Sequence, residues 1–81
     1  MARIDAIEIH PLVGLDDDGN PVEKYKDVKA FDVCNEDDEN ILCWGVYLYI
    51  RGEGVENIFD VVDKESAEKC EKLLNKLYNL K

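Results

Sequence analysis

The chain has 81 residues and a formal net charge of -9, from 19 acidic and 10 basic residues. This length accommodates one small domain, so we expect residues 1–81 to form a single domain. The excess of carboxylates disfavours direct binding to nucleic-acid phosphates and to anionic membranes. Hydrophobic residues make up 46% of the sequence, which is too many for a disordered acidic tail. The composition therefore predicts a folded acidic protein that does not bind nucleic acid directly.

The first residues of the chain and its few nucleophilic or proton-transferring side chains limit the classes of function that we expect. Met1 to Asp5 carry charge where a signal peptide would need an apolar run, and no stretch reaches the roughly 18 apolar residues of a membrane span. We therefore expect a soluble, cytoplasmic protein. The chain has a single His, a single Ser and no Thr, and it lacks a glycine-rich phosphate loop. The sequence predicts neither enzymatic activity nor a cofactor.

In chain order, the first element is a strand. Ile7 and Ile9 alternate with polar neighbours within residues 4–13, which predicts a strand that ends at Pro11 or extends beyond it as an edge. Asp18-Gly19 then predicts a chain reversal. Residues 22–30 fit either a helical turn or a strand, and we favour a strand that ends at Val33 or Cys34.

The second half contains a hairpin. Residues 35–40 form a predicted loop, and residues 42–50 alternate with a period of two, with Trp44 on the side expected to face a helix. Tyr47 and Tyr49 share the opposite side with Ile41. Arg51 to Gly54 predict a tight turn whose glycines permit positive φ values, and residues 58–62 predict the returning strand.

The last element is an amphipathic helix from Lys64 to about Leu80, with Asp63 as its N-cap. Its apolar positions recur at steps of three and four residues, which predicts one buried face. These positions are Ala67, Cys70, Leu73, Leu74, Leu77 and Leu80. The predicted fold class is α+β, an antiparallel sheet of about four strands with one C-terminal amphipathic helix packed on one face.

Metal and thiol sites are disfavoured by spacing. His10, Cys34, Cys43 and Cys70 lack the closely spaced pairs that structural zinc sites use. Asp16, Asp18 and Asn20 repeat the start of a calcium loop, but Pro21 occupies the position that requires glycine. If the 35–40 loop is symmetric, Cys34 and Cys43 lie on neighbouring strands within disulfide distance, so their pairing stays open. We predict no metal site, and a surface or structural role for His10.

Two acidic clusters dominate the charge distribution, Asp16 to Asp18 and Glu36 to Glu39. Like charges repel and add nothing to folding, so two interpretations compete. The clusters either keep a small domain soluble, or they imitate phosphates and bind a basic protein surface. In a strand meander, the first cluster would share a sheet end with Glu53 and Glu56, and the second would lie at the other end.

With its acidic turns, compact sheet and closing helix, the chain resembles the small acidic inhibitors that phages make against host enzymes, including DNA mimics and anti-CRISPR proteins. The resemblance implies an inhibitor that occupies a basic, nucleic-acid-handling surface of a partner protein. The alternative is a structural or homo-oligomeric accessory domain, a homodimer for example, that uses the face bearing the two tyrosines. The candidate partner-binding residues are Asp16, Asp17, Asp18, Glu36, Asp37, Asp38, Glu39, Tyr47 and Tyr49.

Overall fold

The computed structural model describes residues 3–80, which form one antiparallel sheet and one helix. No helix among these residues is long and apolar enough to cross a membrane. A single 3-10 turn at Tyr25–Asp27 interrupts the connection between the second and third strands. The elements are β1 (Ile4–Leu15), β2 (Pro21–Val22), β3 (Ala30–Val33), β4 (Ile41–Ile50), β5 (Gly54–Val61) and α1 (Lys64–Leu77).

The sheet has the strand order β2-β1-β4-β5, and β3 also pairs with β1. Every pairing is antiparallel, and the helix contacts β1, β4 and β5 from one side. The predicted α+β class is therefore confirmed, with five strands because residues 21–22 form a short one. Leu12 pairs with Val33 and with Cys43, so β1 lies between β3 and β4.

Strand β1 continues through Pro11 to Leu15 instead of ending at the proline. The carbonyl of Pro11 accepts a hydrogen bond from the Cys34 N–H at 3.0 Å, on the β3 side of the strand. The N–H and C=O groups of one strand residue point to the same side of the strand. The N–H that Pro11 lacks would therefore also point towards the β3 side, just beyond the last residue of β3. The proline therefore removes no hydrogen bond from the β1–β4 ladder.

The main core lies between the sheet and α1. Its buried residues are Ile7, Trp44, Val46 and Ala67, which come from β1, β4 and the helix. The register slips between Leu12–Cys43 and Val13–Ile41, which leaves Leu42 as an extra residue in β4. Such a bulge reverses the side on which preceding residues lie. Ile41 therefore packs against the core, and its predicted place beside the tyrosines is wrong.

The helix begins as predicted, since the Asp63 carboxylate accepts a hydrogen bond from the Ser66 N–H at 2.8 Å. Ala67, Cys70, Leu74 and Leu80 pack into the core. Leu73 and Leu77 do not pack into the core, and they are 68% and 70% exposed. Their predicted burial is wrong because the apolar stripe of the helix is wider than the part of it that the sheet covers.

We call the sheet face opposite α1 the open face, and segment 22–31 covers one end of it. The side chains of Val22, Val28 and Leu42 surround Gly14 there, where a side chain would leave them no room. Leu12 and Cys43 are buried on the same face. The strand favoured through residues 22–33 is wrong within the segment between β2 and β3. Only β3 forms as predicted, because the 3-10 turn redirects the chain and Val28 packs against Gly14.

Candidate binding surface

Both acidic clusters lie at the same end of the sheet, which we call the acidic end. Ile41 pairs with Val13, so the loop before Ile41 reaches the sheet beside the last residues of β1. Glu39 lines a shallow depression together with Val22 and Glu23. The meander, which would put the clusters at opposite ends, is wrong because β1 lies between β3 and β4.

The charge of the whole molecule is concentrated in this part of the chain. Residues 16–40 contain ten carboxylates and three lysines, a balance of -7 out of the total of -9. Residues 63–81 have four acidic and five basic side chains, a balance of +1. The protein is therefore electrostatically polarised, with its negative potential strongest around the acidic end.

Two of these carboxylates hold the turns in shape. Asp16 Oδ1 accepts hydrogen bonds from the N–H groups of Asp18 and Asn20, both at 2.9 Å, and Gly19 has a φ of 80°. Asp38 Oδ1 accepts from the Asn40 N–H at 2.7 Å. These are the local bonds by which Asp favours turns. The expectation that the clusters add nothing to folding is wrong for these two residues.

A third carboxylate, Glu36, is tied to the helix. Its Oε2 lies 3.1 Å from Lys64 Nζ, and that ammonium group lies 5.7 Å from the centre of the Trp44 ring. Both charged side chains are largely exposed, so the pair contributes little to stability. Within residues 3–80, four carboxylates of the clusters make neither an ion pair nor a side-chain hydrogen bond, and these are Asp17, Asp18, Asp37 and Glu39.

The two candidate tyrosines lie away from the acidic end. Tyr49 pairs with Ala6 and Val55, near the opposite end of the sheet. From Ile41 to Tyr49 the strand spans about 26 Å, at roughly 3.3 Å per residue. The structure therefore splits the predicted site, with seven acidic residues at one end and the tyrosines towards the other.

The Tyr47 side chain is held by contacts with other residues of the open face. Its ring packs edge-on against His10, with centroids 5.3 Å apart, and it covers the buried Gly45. Burial raises the pKa of the Tyr47 hydroxyl above its usual value, and the nearby charge of Asp60 adds to the rise. Tyr49 is 46% exposed and is the tyrosine of this face that a partner could reach.

An aromatic pair that the sequence reasoning missed lies at the acidic end. Tyr25 and Phe31 contact each other with ring centroids 5.6 Å apart, and they are 59% and 37% exposed. Phe31 is fixed by β3, where it pairs with Gly14. The sequence contains no signal for this pair, because residues 22–30 fit neither a helical nor a strand period cleanly and the course of the segment depends on its packing over Gly14. Exposed aromatic side chains are favoured anchors in protein interfaces.

The described cysteines and His10 form neither a disulfide nor a grouping of metal ligands. Cys34 and Cys43 lie on either side of β1, about 9.6 Å apart from two strand spacings, which is too far for a disulfide. All three cysteines are free. Burial raises the pKa of the Cys43 thiol, the reverse of what activates a nucleophile. Among residues 3–80, no three His, Cys, Asp or Glu side chains are grouped so that they could hold a metal ion.

Comparison with known proteins gives no family for this chain. No family model matches the sequence, and no match is found among curated proteins or solved structures.

Proposed function

We propose that this chain is a non-enzymatic binding protein, an acidic inhibitor that occupies a basic, nucleic-acid-handling surface of a partner protein. The observation that supports the proposal most is the meeting of both acidic turns at one sheet end, within a segment of net charge -7. A duplex presents one negative charge per roughly 1.7 Å of its axis, so a cationic groove that binds it also attracts closely spaced carboxylates. This is the mode of action implied by a phage DNA mimic.

Different residues of the acidic end have different roles in the proposed binding. The four carboxylates that make neither an ion pair nor a turn hydrogen bond steer association and compete with phosphate. Asp16 and Asp38 hold the turns that present them. Apolar contact comes from Tyr25 and Phe31, which replace the more distant tyrosines of β4 in this role.

The first experiment identifies a partner and then removes charge. Proteins captured from host lysate at 50 mM salt are identified by mass, and the dissociation constant of the chief partner is measured from 50 to 200 mM salt. We expect binding to weaken steeply with salt and duplex DNA to compete. An affinity that does not change over this range, or a partner indifferent to DNA, would contradict the proposal.

Matched variants separate the acidic end from net charge. The triple variant Asp17→Asn, Asp37→Asn, Glu39→Gln removes three unpaired carboxylates, and we expect it to weaken binding by on the order of tenfold. Its control is Glu53→Gln, Glu56→Gln, Glu68→Gln, which makes the same change in net charge elsewhere on exposed residues. Equal loss in both triple variants would show that only total charge matters.

A second pair of variants tests the aromatic anchors. Tyr25→Ala removes the more exposed member of the aromatic pair, and Tyr49→Ala removes an exposed tyrosine towards the other end of the sheet. We expect the first to weaken partner binding and the second to leave it unchanged. The reverse result would move the interface to the open face.

The alternative function, an accessory domain that assembles through the tyrosine-bearing face, has one observation in its favour. Tyr49 and Val55 are cross-strand neighbours and are 46% and 51% exposed. Tyr47 contributes less because it is held against His10. In this case the acidic triple variant would leave assembly intact, and Tyr49→Ala would abolish it.

A further inference from the structure

The edge of β1 that carries β4 is covered by two separate pieces of chain. Val13 pairs with both β3 and β4, so these two strands lie on opposite edges of β1. Gly14 pairs with Val22 of β2 and with Phe31 of β3, so β2 lies on the same edge as β4. Strands β2 and β4 therefore lie end to end along β1. The chain leaves this line after Val22 and returns to it at Ile41, which produces a gap at the acidic end.

The gap contains the depression of about 200 Å³ that Glu39 lines, which we call the cleft. It has an aliphatic floor, since Val22 and Leu42 pack together over Gly14. It has an acidic rim, since Glu23 leaves the strand line on one side and Glu39 approaches it on the other. The cleft is lined by Val22, Glu23, Glu39, Asn40, Ile41 and Leu42.

The two carboxylates of the rim have no cation of their own. Both side chains are exposed, and within residues 3–80 neither makes an ion pair or a side-chain hydrogen bond. Lys24 follows Glu23 directly in sequence but does not pair with it. The rim therefore attracts a positive group from outside the molecule.

The shape and lining of the cleft distinguish between the cations that it could take. A metal ion needs a third ligand, and no such grouping of side chains exists among residues 3–80. Lysine presents a compact and strongly hydrated charge, whereas the planar guanidinium group of arginine is weakly hydrated and donates up to five hydrogen bonds. A guanidinium group can therefore reach two carboxylates at once, and the methylene stem of arginine packs on aliphatic side chains.

We propose that the cleft receives an arginine side chain of the partner protein. The guanidinium group bonds to Glu23 and Glu39, and its stem lies on the floor made by Val22 and Leu42. This proposal rests on the proposed function for the existence of a basic partner, and it names the group that the acidic end recognises. Glu23 lies outside both acidic clusters, so it adds a residue to the interface that the clusters alone do not indicate.

The test uses small compounds in place of the partner. Nα-acetylarginine amide is titrated into the whole protein at constant low ionic strength, and the methyl signals of Val22, Ile41 and Leu42 are followed by NMR. We expect these signals to shift and saturate. The neutral analogue Nα-acetylcitrulline amide should leave them unchanged, and Nα-acetyllysine amide should bind more weakly. No saturable shift, or equal binding of the citrulline or lysine compound, would overturn the proposal.

Two double variants separate the cleft from the general negative field. Glu23→Gln with Glu39→Gln removes the rim, and we expect it to weaken binding of the arginine compound by about fivefold. Asp17→Asn with Asp37→Asn makes the same change in net charge at the same end without touching the lining, and we expect a loss below about twofold. Equal losses from two folded variants would overturn the proposal.

The same variants distinguish failure of the cleft from failure of the proposed function. The compounds are measured without a partner, so the result for the cleft does not depend on whether the expected partner exists. If a partner binds in the salt-dependent way proposed but the cleft binds no arginine compound, the arginine site is refuted and the acidic inhibitor is not. If the cleft binds arginine but no salt-dependent partner is captured, the site stands and the inhibitor fails.

Discussion

Gly14 is the position at which the structure makes its sharpest prediction about stability. A Cβ atom added there would lie 2.5 Å from Leu42 Cδ1 and 2.5 Å from Val28 Cγ2. Ordinary carbon contacts begin near 3.4 Å, so both methyl groups would have to retreat by about 0.9 Å. Val28 has a short, stiff side chain, and its retreat requires movement of the backbone of segment 22–31.

The expected cost of Gly14→Ala follows from this crowding. Overpacking costs about 1–3 kcal/mol, and the lower backbone entropy of an unfolded chain with alanine returns about 0.4–1 kcal/mol. We therefore expect a net loss of roughly 1–2 kcal/mol, or about 4–16 °C in melting temperature for a domain of this size. Urea titration followed by Trp44 fluorescence measures the loss.

Gly45→Ala is the matched control for this prediction. The atoms nearest to a Cβ there are Tyr47 Cε1 at 2.8 Å and Leu12 Cδ1 at 2.9 Å, which are the ends of longer side chains. Tyr47 can turn outward by giving up its contact with His10 and without any movement of the backbone, so we expect the smaller loss of stability at Gly45. If Gly14→Ala is as stable as the wild type, or if Gly45→Ala loses more, the packing of segment 22–31 over Gly14 is not as described.

Two further predictions concern the ionisation of Asp63 and the accessibility of the three cysteines. The Ser66 backbone N–H and hydroxyl lower the pKa of Asp63, so its capping stabilises the fold above the ordinary pKa of 3.8 and is lost as the pH falls below it. Asp63→Asn retains an N-cap acceptor, so its unfolding free energy should fall less between pH 5 and pH 2, about the range in which a capping carboxylate titrates. Under native conditions, alkylation should label Cys34 and Cys70 before the buried Cys43, as mass spectrometry can show, and equal rates would contradict that burial.

The helix and strand β4 could be predicted because their signals are local. Asp63 followed by a three-four apolar repeat predicts where α1 begins, and alternation predicts β4. Asp18-Gly19 predicts the first reversal for the same reason, and Gly19 adopts a positive φ in that turn. These features depend on neighbours within a few residues, so an isolated sequence contains enough information to fix them.

The remaining features depend on contacts between distant residues. The pairing of β1 with β4 joins segments more than 25 residues apart, and the bulge at Leu42 appears only once that register exists. The course of residues 22–31 depends on the space over Gly14. Because that segment positions Tyr25, the aromatic part of the candidate surface could not be recognised from sequence. The acidic clusters are evident in the sequence, but their meeting at one end depends on the same long-range pairing.

The uneven distribution of charge gives the protein a large electric dipole moment, since residues 16–40 hold a balance of -7 and residues 63–81 a balance of +1. Near a cationic surface such a dipole experiences a torque that rotates the molecule before contact, so that a larger share of collisions arrives in one orientation. Two variants with identical net charge but different charge placement would then associate at different speeds, even where their final complexes are equally stable.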